Sequence, residues 1–83
     1  MNPECQLFAI PACQLCELAE YELMPMIDQG LLVEVVDISI DPVLLDRYQG
    51  RTPVLRRVDT GEELEWPFEA LHVVSFLRAG SGR

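Results

Sequence analysis

Apolar residues come in short blocks along the chain, separated by acidic and turn-forming residues, and their spacing alternates between strand-like and helix-like. The first block, Cys5-Gln6-Leu7-Phe8-Ala9-Ile10, is short, mostly apolar and closed by Pro11, as a buried strand should be. A helix is predicted from about Cys13 to Asp28. Leu15, Leu18, Ala19, Leu23, Met26 and Ile27 form its core-facing stripe, and Glu17, Glu20, Tyr21 and Asp28 face solvent. Pro25 removes one backbone donor and should bend that helix near Tyr21; Gly30 ends it. Leu31 to Ile38 is Val- and Leu-rich and reads as a central strand covered on both faces, hence parallel to the first. Strand, helix and strand in this order make a right-handed βαβ unit.

Asp41-Pro42 then supplies an N-cap followed by a proline at the first helical position, and the helix it opens, Val43 to Gln49, stops at Gly50. Val54 to Val58 and Glu63 to Trp66 flank Asp59-Thr60-Gly61-Glu62, which predicts a hairpin and an antiparallel second half of the sheet. Pro67 opens a last helix to about Arg78, with Phe68, Leu71, Val74 and Leu77 on one stripe. The predicted order is β-α-β-α-β-β-α.

At 83 residues the chain forms one domain, read as residues 1–79, with Gly80-Ser81-Gly82-Arg83 as a frayed tail. A hydrophobic fraction of 49% argues against disorder. No apolar run approaches the roughly 20 residues that cross a bilayer. The acidic N-terminal residues show no secretory leader, so the cytoplasm is the expected location. Six basic against fourteen acidic residues give a formal charge of −8. That field repels phosphate backbones and anionic membranes, which excludes nucleic acid and membranes as expected partners and favours basic or neutral ones.

The candidate chemistry lies in Pro11-Ala12-Cys13-Gln14-Leu15-Cys16, a C-x-x-C where a strand meets a helix. Cys13 falls at the helix N-cap, where free N–H groups and the positive end of the dipole stabilise a thiolate; Glu17 and the net charge oppose it by a comparable amount. Cys16 sits one turn below, within disulfide reach and less exposed. Cys13 is therefore the expected nucleophile and Cys16 the resolving thiol. Thr52-Pro53, just before the third strand, is the second candidate piece. With Pro53 in cis, the Thr52 backbone is free to pair with an extended substrate beside Cys13.

These features together resemble the glutaredoxin-like family of the thioredoxin superfamily over nearly the whole chain. Asp37 at the end of the second strand, Asp41-Pro42, Arg51-Thr52-Pro53-Val54 and Trp66-Pro67-Phe68 extend the match beyond the cysteines. The resemblance implies an α/β thioredoxin/glutaredoxin fold, with a four-stranded mixed sheet of order 2-1-3-4 flanked by helices. It also implies a thiol–disulfide oxidoreductase that takes disulfides of proteins or small molecules as substrates. Its expected partners are those substrates and a reductase or thiol donor, and it is expected to be a monomer. Pro11, Ala12, Arg51, Thr52 and Pro53 are the expected substrate-binding residues. The sequence departs from true glutaredoxins at Ile10, where those carry a lysine. It departs again at Gly61-Glu62 and Trp66-Pro67-Phe68-Glu69, where they grip glutathione. Glutathione as a co-substrate would lack the family's usual gripping side chains, so dependence on it is not expected, nor is a tightly bound cofactor.

Two other readings compete. A zinc or iron–sulfur site needs further ligands, and only Cys5, in a strand, and His72, on the last helix, remain to complete a zinc set, so no metal site is expected. A thioredoxin-fold binding module would use the Thr52-Pro53 groove and leave the cysteines incidental. Cys5 reads as a small core residue, His72 as a surface histidine, Trp66 as either core packing or a groove wall, and Glu17, Glu20 and Glu22 as a solvated face.

Overall fold

A computed structural model describes residues 2–78; the expected tail at 80–83 lies outside the described residues. The elements are β1 (Cys5–Ala9), α1 (Gln14–Asp28), β2 (Val33–Asp37), a 3-10 turn (Ile38–Ile40), α2 (Pro42–Tyr48), β3 (Val54–Arg57), β4 (Glu63–Glu65) and α3 (Ala70–Arg78). They form one four-stranded sheet of order β2-β1-β3-β4. β1 pairs with β2 in parallel and with β3 antiparallel, and β3 pairs antiparallel with β4. This is the mixed α/β architecture the sequence predicts.

Alternation along the central strand divides the interior. Cys5 and Leu7 point to one face, where they meet Ala19 and Leu23 of α1, Leu55 of β3, Phe68, and Val73 of α3. Phe8 points to the other and packs with Ile38, Tyr48 and Val54. The Phe8 and Tyr48 rings stack with centroids 4.3 Å apart. One strand thus holds both layers, and its C-terminal end delivers the chain to the cysteines.

β2 corrects one expectation. It lies at the sheet edge, and Glu34 and Val35 are exposed, so it is not covered on both faces. Its apolar residues are used in part on each face: Val33 packs against the Cys5 and Leu7 cluster and Val36 against the Phe8 cluster.

The helix stripes also differ. On α1 the buried positions are Cys16, Ala19 and Leu23, with Met26 packed beside them, while Leu15, Leu18 and Ile27 are substantially exposed. Apolar residues surround more of this helix than one face can bury, and small Cys16 and Ala19 set the contact because they let it approach the sheet closely. On α3 the core contacts are Val73, Phe76 and Leu77, and Leu71 is exposed. The reason is register: the helix begins at Ala70, so Phe68 enters the core from the preceding segment and does not define the helical face. α1 runs on through Pro25 without a break.

Local capping follows the sequence closely. Asp41 accepts from the Val43 N–H at 2.9 Å and opens α2, with Pro42 at the first helical turn. Asp37 accepts from the Ser39 N–H at 2.9 Å and hydroxyl at 2.6 Å, which builds the 3-10 turn that the sequence reading lacked. Glu22 is not simply solvated: its carboxylate accepts from the Ala70 N–H at 3.0 Å and ties α1 to the first turn of α3. His72 is a surface residue whose Nδ1 accepts from the Glu69 N–H at 3.0 Å, in the manner of a capping box.

Candidate active site

The chain leaves β1 at Ala9 and must turn sharply to start α1. Ala12 makes that turn with φ +54°, a left-handed conformation that costs a non-glycine residue about 1–2 kcal/mol. The turn places Cys13 in extended geometry at the N-cap, with its sulfur accepting from the Cys16 N–H at 3.1 Å. The Cys13 and Cys16 sulfurs are at disulfide distance, with their Cα atoms 5.2 Å apart. The two residues differ in access. Cys16 is buried in the first turn of α1, and Cys13 is half-buried at the surface. An incoming group therefore meets Cys13 first.

A cavity of about 260 Å³ adjoins the pair. Pro11, Ala12 and Cys13 of the turn, Cys16, Glu17 and Glu20 of α1, and Val35 and Asp37 of the edge strand contribute to its lining. The predicted Pro11, Ala12, Cys13 and Cys16 thus come together.

Thr52, Pro53 and Arg51 do not line that cavity. Pro53 is buried, and the Thr52–Pro53 bond is cis, as is Trp66–Pro67. Among the described residues, Thr52 makes no backbone hydrogen bond, and the Trp66 N–H donates to the Pro53 carbonyl at 3.2 Å. Arg51 is engaged on the other side of the sheet. Its guanidinium lies 3.2 Å from Glu63 and 2.9 Å from Glu65, and over the Tyr48 ring. Tyr48 donates its hydroxyl to the same Glu63 carboxylate. Partial burial pushes Glu63 upward, but the bonds from Tyr48 and Arg51 outweigh it and leave its carboxyl below the usual range. Sequence reasoning missed this network; Glu63 and Glu65 on one face of a strand are its only signal.

Among the described residues, no three His, Cys, Asp or Glu side chains come together as metal ligands. Cys5 lies fully buried in the core, where desolvation pushes its thiol up to about 11. Trp66 packs edge-on against Phe68, with centroids 5.1 Å apart, at the margin of the core. No described helix is long and apolar enough to cross a membrane.

Comparison with known proteins agrees with this picture. An X-ray structure of Northeast Structural Genomics target protein XcR50 from X. campestris superposes with a TM-score of 0.81 at 33% identity, covering 92% of this chain and 97% of that one. A solution structure of the same target gives 0.76 at 32% identity, covering 93% and 95%. No curated protein matches the chain. The model of the glutaredoxin-like domain (DUF836) matches residues 4–78, nearly the whole of the described structure, and the chain belongs to that glutaredoxin-like family.

Proposed function

We propose that this protein is a thiol–disulfide oxidoreductase working through the Cys13–Cys16 couple. The observation that carries the reading is the asymmetry of the pair: Cys13 sits accessible at the N-cap with an N–H aimed at its sulfur, and Cys16 is buried at disulfide distance. In the dithiol form, the Cys13 thiolate attacks a substrate disulfide. One Cys13–substrate S–S bond forms as the substrate S–S bond breaks, and one substrate thiolate leaves. The Cys16 thiolate then attacks the Cys13 sulfur, closes the internal disulfide and releases the second substrate thiolate. Two electrons pass to the substrate, and a thiol or dithiol donor restores the pair in a separate exchange.

The Thr52 backbone and Pro53 supply the other lip of the site, where an extended substrate can pair with the unengaged main chain. Arg51, held by two carboxylates, acts chiefly by anchoring the loop that carries Thr52. Glutathione is not the favoured donor. Ile10 replaces a cation beside the site, and the protein's charge of −8 opposes an anionic tripeptide. A reducing compartment such as the cytoplasm would keep the pair in the attacking dithiol form.

The test is a pair of variants assayed on a peptide disulfide. Cys13→Ser should abolish reduction, and Cys16→Ser should accumulate a covalent peptide adduct visible by mass spectrometry. Retained turnover in Cys13→Ser, or no adduct in Cys16→Ser, contradicts the assignment. A binding module would instead keep its partner affinity in both variants and reduce nothing.

A further inference from the structure

The cavity beside the cysteines opens on the β2 side of the site, away from Thr52-Pro53, and its chemistry is one-sided. Ile10 and Val35 present apolar surface there, 41% and 51% exposed. Glu17, Glu20 and Asp37 add three carboxylates. Among the described residues that line it there is no lysine, arginine or histidine. The imbalance extends through this half of the chain, because no basic residue precedes Arg47. Two of the six arginines are held by carboxylates elsewhere: Arg51 by Glu63 and Glu65, and Arg57 by Asp59.

Geometry makes this groove part of the reaction path. Ala9, Cys13 and Cys16 contribute to its lining, and the outer edge of β2 has no neighbouring strand. A disulfide presented to Cys13 brings its flanking residues against this groove, because both cysteines belong to its lining. There those residues meet apolar contacts beside uncompensated negative charge. Anionic substrates are repelled there, and so is a second copy of this acidic chain.

We infer that the groove between α1 and β2 selects polypeptide disulfides whose half-cystine is flanked by a basic and an apolar residue. The basic side chain lies against Glu17 and Glu20, and the apolar one lies against Ile10 and Val35. This inference rests on the redox reading above and names the substrate class for it.

The test uses the reduced full chain and two short peptide disulfides that differ only in carrying Arg or Glu beside the cysteine. A small neutral disulfide, 2-hydroxyethyl disulfide, serves as reference. The Arg peptide should be reduced about tenfold faster than the Glu peptide in dilute buffer, and the ratio should shrink to about twofold near 0.5 M salt. The Glu17→Gln/Glu20→Gln double variant should bring the low-salt ratio to about threefold or less. A charge-matched control, Asp46→Asn/Glu62→Gln, should keep it. Because the readout is a ratio, any change in Cys13 nucleophilicity caused by Glu17 cancels. Equal rates for the two peptides, with the reference still reduced, overturn the groove alone. The same loss of preference in the control variant also overturns it, since the preference would then belong to the overall field. Failure to reduce even the reference overturns the redox reading and the groove with it.

Discussion

The main-chain N–H of Cys16 donates to the sulfur of Cys13 across 3.1 Å. This donor belongs to the first turn of α1, where no intrahelical carbonyl can use it, so the sulfur takes the place of a capping oxygen. When the pair is reduced, the same N–H faces a thiolate. Glu17, whose own N–H bonds to the Cys13 carbonyl at 3.1 Å, brings a negative charge into the same turn. The Cys13 sulfur is therefore set between a favourable backbone and an unfavourable side chain.

That balance makes Glu17 a tuning residue. A helix terminus contributes about 0.3–1 kcal/mol, so removing an opposing charge of like size should raise the reactive thiolate fraction about two- to fivefold. Glu17→Gln should accelerate alkylation of reduced Cys13 at pH 7 by that factor. A rate equal to that of the unaltered protein would show that the carboxylate does not reach the sulfur electrostatically.

Tyr48 joins the second core to the hairpin: its ring stacks on Phe8 and its hydroxyl bonds Glu63. Tyr48→Phe keeps the stack and removes only the hydrogen bond. Urea unfolding should show a loss of about 1.5–3 kcal/mol, the range expected for a bond to a charged partner. A change below about 0.3 kcal/mol would mean that Glu63 is satisfied by Arg51 alone.

Arg57 is buried at the end of β3, where its Nε and Nη2 reach both Asp59 oxygens at 3.0 and 2.7 Å and its Nη1 reaches the Phe76 carbonyl at 3.1 Å. The guanidinium hydrogen bond, foremost, holds the Asp59 carboxyl below its ordinary range. Because the folded value is depressed, the stabilisation is complete above the unfolded value and is lost as pH falls through the folded one. Asp59→Asn should therefore lower the urea midpoint at pH 7, and its deficit should narrow as both proteins are taken into acid. A deficit that does not change with pH would exclude the ion pair as its source.

Cys5 behaves in the opposite sense. Burial, then the nearby Glu4 carboxylate, raises its thiol to about 11, so the folded state holds a proton that the unfolded chain releases earlier. The stabilisation is present below the unfolded value and is lost as pH rises towards 11. Oxidised protein treated with iodoacetamide at pH 8 should take up no label when folded and one at Cys5 in urea. Labelling of the folded protein at the unfolded rate would contradict the burial.

Much of this structure was legible in the chain because local chemistry and tertiary position coincide there. Cys13 at the N-cap, Asp41-Pro42 opening α2 and the turn through Gly61 are read from residues whose neighbours alone fix their geometry. The faces of α1 and α3 were less legible. Leu15, Leu18 and Leu71 are as apolar as the residues that replace them in the core, and only docking against the sheet decides among them. The edge placement of β2 was obscured for a related reason, since Val35 and Val36 suit a strand wherever it lies. The Arg51–Glu63–Tyr48 network depends on register between α2, the following loop and β4, which no local spacing encodes.

Thiol–disulfide exchange at Cys13 and Cys16 stands or falls on the reduction potential of the pair, measured by equilibrating the protein in thiol–disulfide buffers of known poise. The redox reading predicts a reversible two-electron couple between about −180 and −280 mV, within the span of working dithiol oxidoreductases. Absence of a reversible couple, with both thiols left unreactive across that span, would contradict it.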